Sequence, residues 1–132
     1  MNEIDLRTAS TAARAYLGDS VLELYVRSTL VAKGYGSSKS LNTHARGFVT
    51  APAQAAAMER ILPHLSPEEE AIFKRGRNVG HTKTPKNATV AEYRAATGME
   101  VLFGYLYAAG SEARLAELFK IGYAEERDEN QI

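Results

Sequence analysis

The 132-residue sequence contains no cysteine and no tryptophan, only four prolines, and no net excess of either charge. The absence of cysteine excludes disulfide cross-links and thiolate metal sites, and it agrees with a reducing cytoplasm. The first residues are too polar for a secretion signal. The longest nearly uncharged run, residues 95–110, is shorter than the ~20 apolar residues that span a bilayer. We therefore expect a cytoplasmic protein with no membrane partner.

The composition that remains, 45% apolar and 24% charged residues, is ordinary for a globular protein. We expect one domain over residues 1–132, because nothing in the sequence reads as a linker. No segment alternates with a period of two, whereas apolar residues recur at helical spacing. These patterns predict an all-α fold of about six helices. The expected helices run from near Leu6 to about Val31, from Ser37 or Ser38 to about Gly47, from about Pro52 to Leu62, from Pro67 to about Asn78, from Thr89 to about Ala109, and over about 112–126.

Short capping motifs mark several of these ends. Ser66-Pro67-Glu68-Glu69 and Thr89-Val90-Ala91-Glu92 have the spacing of capping boxes, so each predicts a helix start. Gly34 and Gly110 are predicted to end helices, and Ser111 to cap the last one. Residues 79–88 are rich in glycine, proline and cations and predict an exposed basic loop. The polar tail, residues 127–132, is expected to fray.

The charged residues are unevenly distributed along the sequence, although the net charge is zero. A net charge of zero argues against a nucleic-acid partner, but residues 74–94 carry six cations and one acid, a local charge of +5. A local basic surface can bind phosphates whatever the total charge is. Nucleic acid therefore remains a candidate partner.

Two acids interrupt apolar helical runs: Asp19 in the first helix, and Glu100, the only charged residue between Ala95 and Gly110. An ionised carboxylate on such a helix is costly unless it is paired. Each acid can form an ion pair with Arg14 or Arg94, reach solvent, become neutral, or bind a metal. Magnesium is the metal that would suit carboxylates flanked by small residues. Spacing alone favours the ion pair or solvent, and Glu23, a possible third acid, is better explained as solvated or ion-paired.

The segments around these acids resemble the ribonuclease III family. Residues 16–22, Tyr-Leu-Gly-Asp-Ser-Val-Leu, are similar to that family's Leu-Gly-Asp motif, and residues 97–104, Thr-Gly-Met-Glu-Val-Leu-Phe-Gly, to its second acidic motif. The short length and the segments 22–27, 75–78 and 85–87 resemble one branch, Mini-ribonuclease III. The resemblance covers nearly the whole chain.

This resemblance implies a homodimeric, Mg²⁺-dependent endonuclease, with Mn²⁺ as a possible substitute, that cuts double-stranded RNA to 5′-phosphate and 3′-hydroxyl ends. A ribosomal RNA precursor is the implied substrate. Asp19 and Glu100 match the catalytic and metal-binding acids of the family. Two further acids of full-length members are replaced here by Ala15 and Thr97, which implies weaker metal binding. Tyr16 matches an aromatic residue of the dimer interface, although a core position is an equal alternative.

Full-length members carry a separate RNA-binding domain, which we do not expect here because the sequence ends at Ile132. Affinity should then come from the basic loop and the second helix, through recognition of A-form shape. The alternative is an ordinary solvated surface. The competing functions are a non-catalytic helical dimer that binds structured RNA, and a dimerisation protein with no RNA role. The expected RNA-binding residues are Arg77, His81, Lys83 and Lys86, followed by Lys39, His44 and Arg46.

Overall fold

The computed structural model describes residues 9–79 and 86–124. Within these ranges the chain forms six α-helices and one short 3-10 turn, Leu62–His64, and no strand. The predicted all-α fold of about six helices is confirmed. The helices are α1 (Thr11–Ala32), α2 (Ser38–Val49), α3 (Ala51–Ile61), α4 (Pro67–Arg77), α5 (Val90–Ala108) and α6 (Glu112–Gly122).

The helix starts follow from side-chain caps. The hydroxyls of Ser10, Ser37 and Thr50 each accept a hydrogen bond from a backbone N–H of the first turn that follows. The predicted start of α1 near Leu6 is wrong, because Ser10 has extended backbone and its hydroxyl caps the N–H of Ala13 at 3.0 Å. Such a cap satisfies donors that have no partner inside the helix.

Both predicted capping boxes are present. The Ser66 hydroxyl accepts from the Glu69 N–H at 3.1 Å, and the Glu69 carboxylate accepts from the Ser66 N–H at 2.9 Å. Thr89 and Glu92 form the equivalent pair of bonds at 3.0 and 2.8 Å. The cap predicted at Ser111 is wrong: the residue occupies the position before α6, but its side chain makes no capping hydrogen bond.

Glycine ends two helices as predicted. Gly34 and Gly110 have φ values of 96° and 76°, in the left-handed region that a residue without Cβ adopts at little cost. Helix α2 ends at Val49, two residues beyond the predicted end near Gly47, and α6 ends at Gly122. The predicted end of the last helix, near residue 126, lies outside the described residues. Tyr123, which follows α6, is buried, and its hydroxyl donates to the Phe48 carbonyl at 2.7 Å. The predicted frayed tail, residues 127–132, lies outside the described residues.

Helix α5 is the centre of the fold, since it packs against α1, α3, α4 and α6. Its residues Val101, Leu102 and Phe103 are fully buried within the one hydrophobic core. Complete burial of such side chains contributes about 1.5–3 kcal/mol each. Among the described residues, no helix is both long and apolar enough to cross a membrane.

A partly buried ion pair joins α6 to α4. The Arg114 guanidinium donates to both oxygens of the Glu69 carboxylate, at 2.9 and 2.8 Å, and also to the His64 carbonyl at 2.7 Å. The planar guanidinium matches the carboxylate geometrically, which favours this two-point contact. The Arg114 hydrogen bonds hold the pKa of Glu69 below its ordinary value despite burial, which acts in the opposite direction.

Candidate active site

The structure brings Asp19 and Glu100 together. Where α1 packs against α5, the two carboxyl groups are close enough for Asp19 to raise the pKa of Glu100. Glu100 is half-buried, whereas Asp19 is exposed. Although Asp19 interrupts an apolar run in the sequence, α1 has a solvent-facing side that includes this residue. Asp19 and Glu100 therefore form a pair of carboxyl groups in which Asp19 is the exposed member.

The close crossing depends on a glycine beside Asp19. A Cβ atom on Gly18 would lie 2.5 Å from the carbonyl carbon of Glu100 and would collide with its carbonyl oxygen. A second glycine, Gly104, faces the Arg14 backbone, with the Arg14 carbonyl carbon 3.2 Å from the position of an added Cβ. Two glycines thus let the backbones of α1 and α5 approach closely, and this approach places the two carboxyl groups within reach of each other.

The pairing perturbs Glu100. Burial, then the negative charge of Asp19, and then the hydrogen bond with Asp19 raise the pKa of Glu100 to about 8, and a hydrogen bond from Gln54 acts in the opposite direction. Two carboxyl groups in contact cannot both ionise without cost. None of the groups that shift Glu100 is a cation. The Arg14 or Arg94 ion pair considered from the sequence is thus not the contact that governs Glu100.

Gln54 is a site residue that the sequence reasoning missed. It lies on α3, is only 4% exposed, and lies close enough to the Glu100 side chain to lower the pKa of that carboxyl group. The sequence contains a signal, because Gln54 is the only polar side chain in the alanine-rich segment from Ala51 to Met58. Since Gln54 is uncharged, a search for isolated acids passes over it.

A cleft of about 220 Å³ opens beside Glu100. Ala15 and Thr97, the two positions where the resemblance implies missing acids, both line it. The Thr97 hydroxyl donates back to the Tyr93 carbonyl at 3.1 Å, so it is engaged within α5. At these two positions the cleft is therefore bordered by a small and an internally bonded side chain, and Glu100 is the carboxyl group that lines it. Its lining residues are Thr11, Ala12, Ala15, Val79, Tyr93, Thr97 and Glu100.

The donor set fits a hard divalent cation that retains water ligands. Asp19 and Glu100 supply carboxylate oxygens, and the charge repulsion between them is what a bound cation would relieve. In residues 9–79 and 86–124, no group of three or more acids, histidines or cysteines could hold a metal. The arrangement is thus a two-carboxylate site, of the kind that magnesium can use when water and phosphate oxygens complete its shell.

Two other residues singled out from the sequence are Glu23, the possible third acid, and Tyr16, the predicted interface aromatic. Glu23 forms an ion pair with Arg27 at 3.3 Å, as the sequence favoured. Tyr16 is 83% exposed, which excludes the alternative of a core aromatic. Leu24 and Val31 lie on the same side of α1 and are 62% and 64% exposed. These three residues form the exposed apolar face of α1.

The predicted RNA-binding residues are dispersed. Arg77 lies between Gly76, which packs against Gly98 on α5, and Val79, which lines the cleft. Its guanidinium stacks over the Phe73 ring at 5.8 Å. Arg77 is therefore close along the chain to a residue of the cleft, and its guanidinium contacts Phe73 on α4.

The predicted RNA-binding residues of α2 lie on two faces of the helix. Lys39 and Arg46 are exposed and two helical turns apart, so they share a face of α2. His44 lies on another face, where its ring contacts Tyr35 with centroids 3.9 Å apart. Lys86 is exposed, and His81 and Lys83 lie outside the described residues.

Comparisons with known proteins agree with this architecture. The family model of the ribonuclease III domain matches residues 13–111. A Mini-ribonuclease 3 from Symbiobacterium thermophilum is 44% identical over 106 residues, covering 80% of this chain and 82% of the relative. A Mini-ribonuclease 3 from Enterococcus faecalis is 39% identical over 130 residues, covering 93% and 98%.

A solved structure shows the same fold. A crystal structure of a Fusobacterium nucleatum protein, 30% identical in sequence, superposes with a TM-score of 0.82 over 92% of this chain and 98% of that one. The chain therefore belongs to the ribonuclease III family, on the Mini-ribonuclease III branch that its motifs resemble. It is an endoribonuclease.

Proposed function

We propose that this endoribonuclease is Mg²⁺-dependent and cuts double-stranded RNA to 5′-phosphate and 3′-hydroxyl ends, with Asp19 and Glu100 as its catalytic and metal-binding residues. The observation that carries the proposal is the contact between these two carboxyl groups beside an open cleft. Manganese, which also accepts oxygen ligands, should replace magnesium.

The two acids have different tasks because their surroundings differ. Asp19 is exposed, so a cation that it holds would be accessible to a scissile phosphate, whereas half-buried Glu100 is held from α5 and α3. A bound divalent cation would supply a water of lowered pKa and neutralise charge on the phosphate. The small side chains of Ala15 and Thr97 leave space in the cleft for water beside Glu100. The Asp19 and Glu100 carboxylates would thereby hold and orient the cation and its bound water, which hydrolysis requires.

A homodimer is the proposed functional form. The exposed apolar face of α1 (Tyr16, Leu24 and Val31) is rimmed by Tyr107, which lines a shallow pocket together with Leu24. Exposed clusters of large apolar residues commonly mark interfaces. Tyr16 lies one helical turn from Asp19, so a partner on this face would stand next to the site. Two copies would then present two sites to the two strands of one RNA duplex.

The RNA contacts we propose are Arg77 near the cleft, Lys39 and Arg46 on one face of α2, and the 79–88 loop. His44, which packs on Tyr35, is the weakest member of the set. The physiological substrate we propose is a ribosomal RNA precursor in the cytoplasm, by similarity to the Mini-ribonuclease III branch. Recognition through phosphates should make binding fall steeply as salt rises.

Cleavage of long double-stranded RNA tests the proposal. The wild-type protein should cut it with Mg²⁺ and not with EDTA, and Asp19→Asn and Glu100→Gln should each lower the rate by at least about 100-fold. Glu23→Gln is the matched control, since this acid on the same helix pairs with Arg27 and should leave the rate within about twofold. Cleavage that persists in Asp19→Asn would refute the site.

A second candidate function is a non-catalytic helical dimer that binds structured RNA. It is favoured by the absence of a three-acid metal cluster in the part of the chain that the structure describes. A gel-shift experiment distinguishes the two functions. Retention of double-stranded RNA without cleavage, at any Mg²⁺ or Mn²⁺ concentration, would favour this candidate.

A further inference from the structure

Gln54 lies beneath the candidate site rather than in its cleft. Its side chain is 4% exposed. On α3 it shares a face with Ala57, Met58 and Ile61, all buried, and α3 packs against α5. Burying an amide in such a place is costly unless the amide is hydrogen bonded. An apolar residue would pack better at this position than a buried amide. We therefore expect a specific partner for the Gln54 side chain.

That partner is Glu100. Gln54 lowers the pKa of Glu100, which is the direction expected when its Nε2 amide group faces the carboxylate as a donor. Asp19 reaches the same carboxyl group from α1. Glu100 is therefore held between a donor on α3 and an acid on α1, and its orientation depends on both.

We propose that Gln54 is a positioning residue of the active site, whose buried amide fixes the orientation of the Glu100 carboxylate so that this group and Asp19 can together receive a divalent cation. The inference rests on the proposed function of the two acids. Gln54 itself does not line the cleft, so it acts through Glu100. Partners of this kind orient metal ligands, and their loss typically lowers metal affinity or activity about 10- to 100-fold.

Binding of Mn²⁺ to the 132-residue protein without RNA, followed by electron paramagnetic resonance of the free ion, tests this role. Gln54→Met retains an unbranched side chain of similar length but has no donor. Gln54→Asn retains the amide but is shorter, so its amide cannot reach Glu100. Because the two variants change packing in different ways, a shared loss points to the missing donor. We expect each to raise the Kd for Mn²⁺ about 10- to 100-fold.

The matched control is Met58→Leu, one helical turn along the same buried face of α3, which should leave Mn²⁺ affinity unchanged. Thermal midpoints are measured for every variant, and binding is measured below each midpoint. A purely structural role would lower the midpoint without changing the affinity of the folded protein. Wild-type Mn²⁺ affinity in folded Gln54→Met or Gln54→Asn would overturn the proposal while the two-acid site stood. Equal Mn²⁺ binding by wild type and Asp19→Asn would overturn the metal site itself.

Discussion

The carbonyl oxygen of Glu100 occupies the space that a side chain on residue 18 would need. Gly18 therefore sets how closely α1 and α5 approach, and its neighbour Asp19 meets the Glu100 side chain at the same crossing. One glycine serves both the packing of the two central helices and the assembly of the carboxylate pair.

Replacing Gly18 with alanine should separate α1 from α5. The added methyl group meets backbone rather than a flexible side chain, so relief requires movement of a whole helix. We expect destabilisation of at least about 1–3 kcal/mol, and a cleavage rate that falls even in protein that remains folded. Chemical denaturation and cleavage assays measure the two effects. Gly36→Ala is the control, because nothing lies within 4 Å of an added Cβ there; equal stability of the two variants would contradict the tight crossing.

The stability of the metal-free protein should decrease as pH rises from about 5 to about 8. Burial and Asp19 raise the pKa of Glu100 to about 8 in the folded state, so between this value and its ordinary pKa the folded protein holds a proton that the unfolded chain has released. The contribution of Glu100 is fully present below its ordinary pKa and is lost as pH rises through the folded value. Its slope is at most about 1.4 kcal/mol per pH unit.

Urea denaturation in EDTA at several pH values measures this slope. The Glu100→Gln variant has no ionisable group at this position, so the corresponding part of the slope should disappear. An unchanged slope in Glu100→Gln would show that Glu100 is ionised at neutral pH in the metal-free protein.

Charge at Tyr16 should prevent self-association. Tyr16 is 83% exposed on the apolar face of α1, and an aspartate buried in a dimer interface would be an uncompensated charge. We expect wild type to sediment as a dimer and Tyr16→Asp as a folded monomer with reduced cleavage. Val90→Asp, at an exposed apolar residue on α5, serves as the control. A monomeric wild-type protein would contradict the prediction.

Removing the two exposed cations of α2 should weaken RNA binding without affecting the fold. Lys39→Gln with Arg46→Gln should lower affinity for double-stranded RNA and reduce the slope of log K against log salt by about 1 for each cation that binds a phosphate. Fluorescence anisotropy at several salt concentrations measures both quantities. The same affinity and slope as wild type would remove α2 from the RNA-binding surface.

The partly buried Glu69–Arg114 pair should stabilise the fold at neutral pH. Glu69→Gln keeps a side chain that can complete the capping box with Ser66, so the substitution isolates the loss of the ion pair. We expect a loss of about 2 kcal/mol at neutral pH. Because Arg114 lowers the pKa of Glu69, the stabilisation is present above the ordinary carboxyl pKa and is lost as pH falls through the folded value.

Glu70→Gln is the matched control for this pair. Glu70 is the next residue, and it pairs with Lys74 at 3.1 Å through half-exposed side chains. The control should cost less than about 0.5 kcal/mol. Denaturation curves at neutral and acidic pH compare the variants, and equal losses at Glu69 and Glu70 would refute the special role of the partly buried pair.

Local sequence was sufficient for much of the helical framework. The capping boxes at Ser66 and Thr89 and the glycine ends at Gly34 and Gly110 involve residues within one turn of each other, so the pattern of residue types predicts them directly. The errors occurred at two single caps: Ser10, rather than an earlier residue, begins α1, and the Ser111 side chain makes no capping hydrogen bond. The motifs around Asp19 and Glu100 also carried enough resemblance to indicate the ribonuclease III family.

Only the tertiary structure decided which helix faces meet. Helical spacing says that Asp19 shares a side of α1 with Ala15 and Glu23, but it does not say that this helix crosses α5 at Gly18. The pairing of Asp19 with Glu100, the buried donor Gln54 and the exposure of Tyr16 all depend on that crossing. They could not be read from periodicity, because packing between distant segments depends on the shapes of both surfaces and not on the pattern along either one.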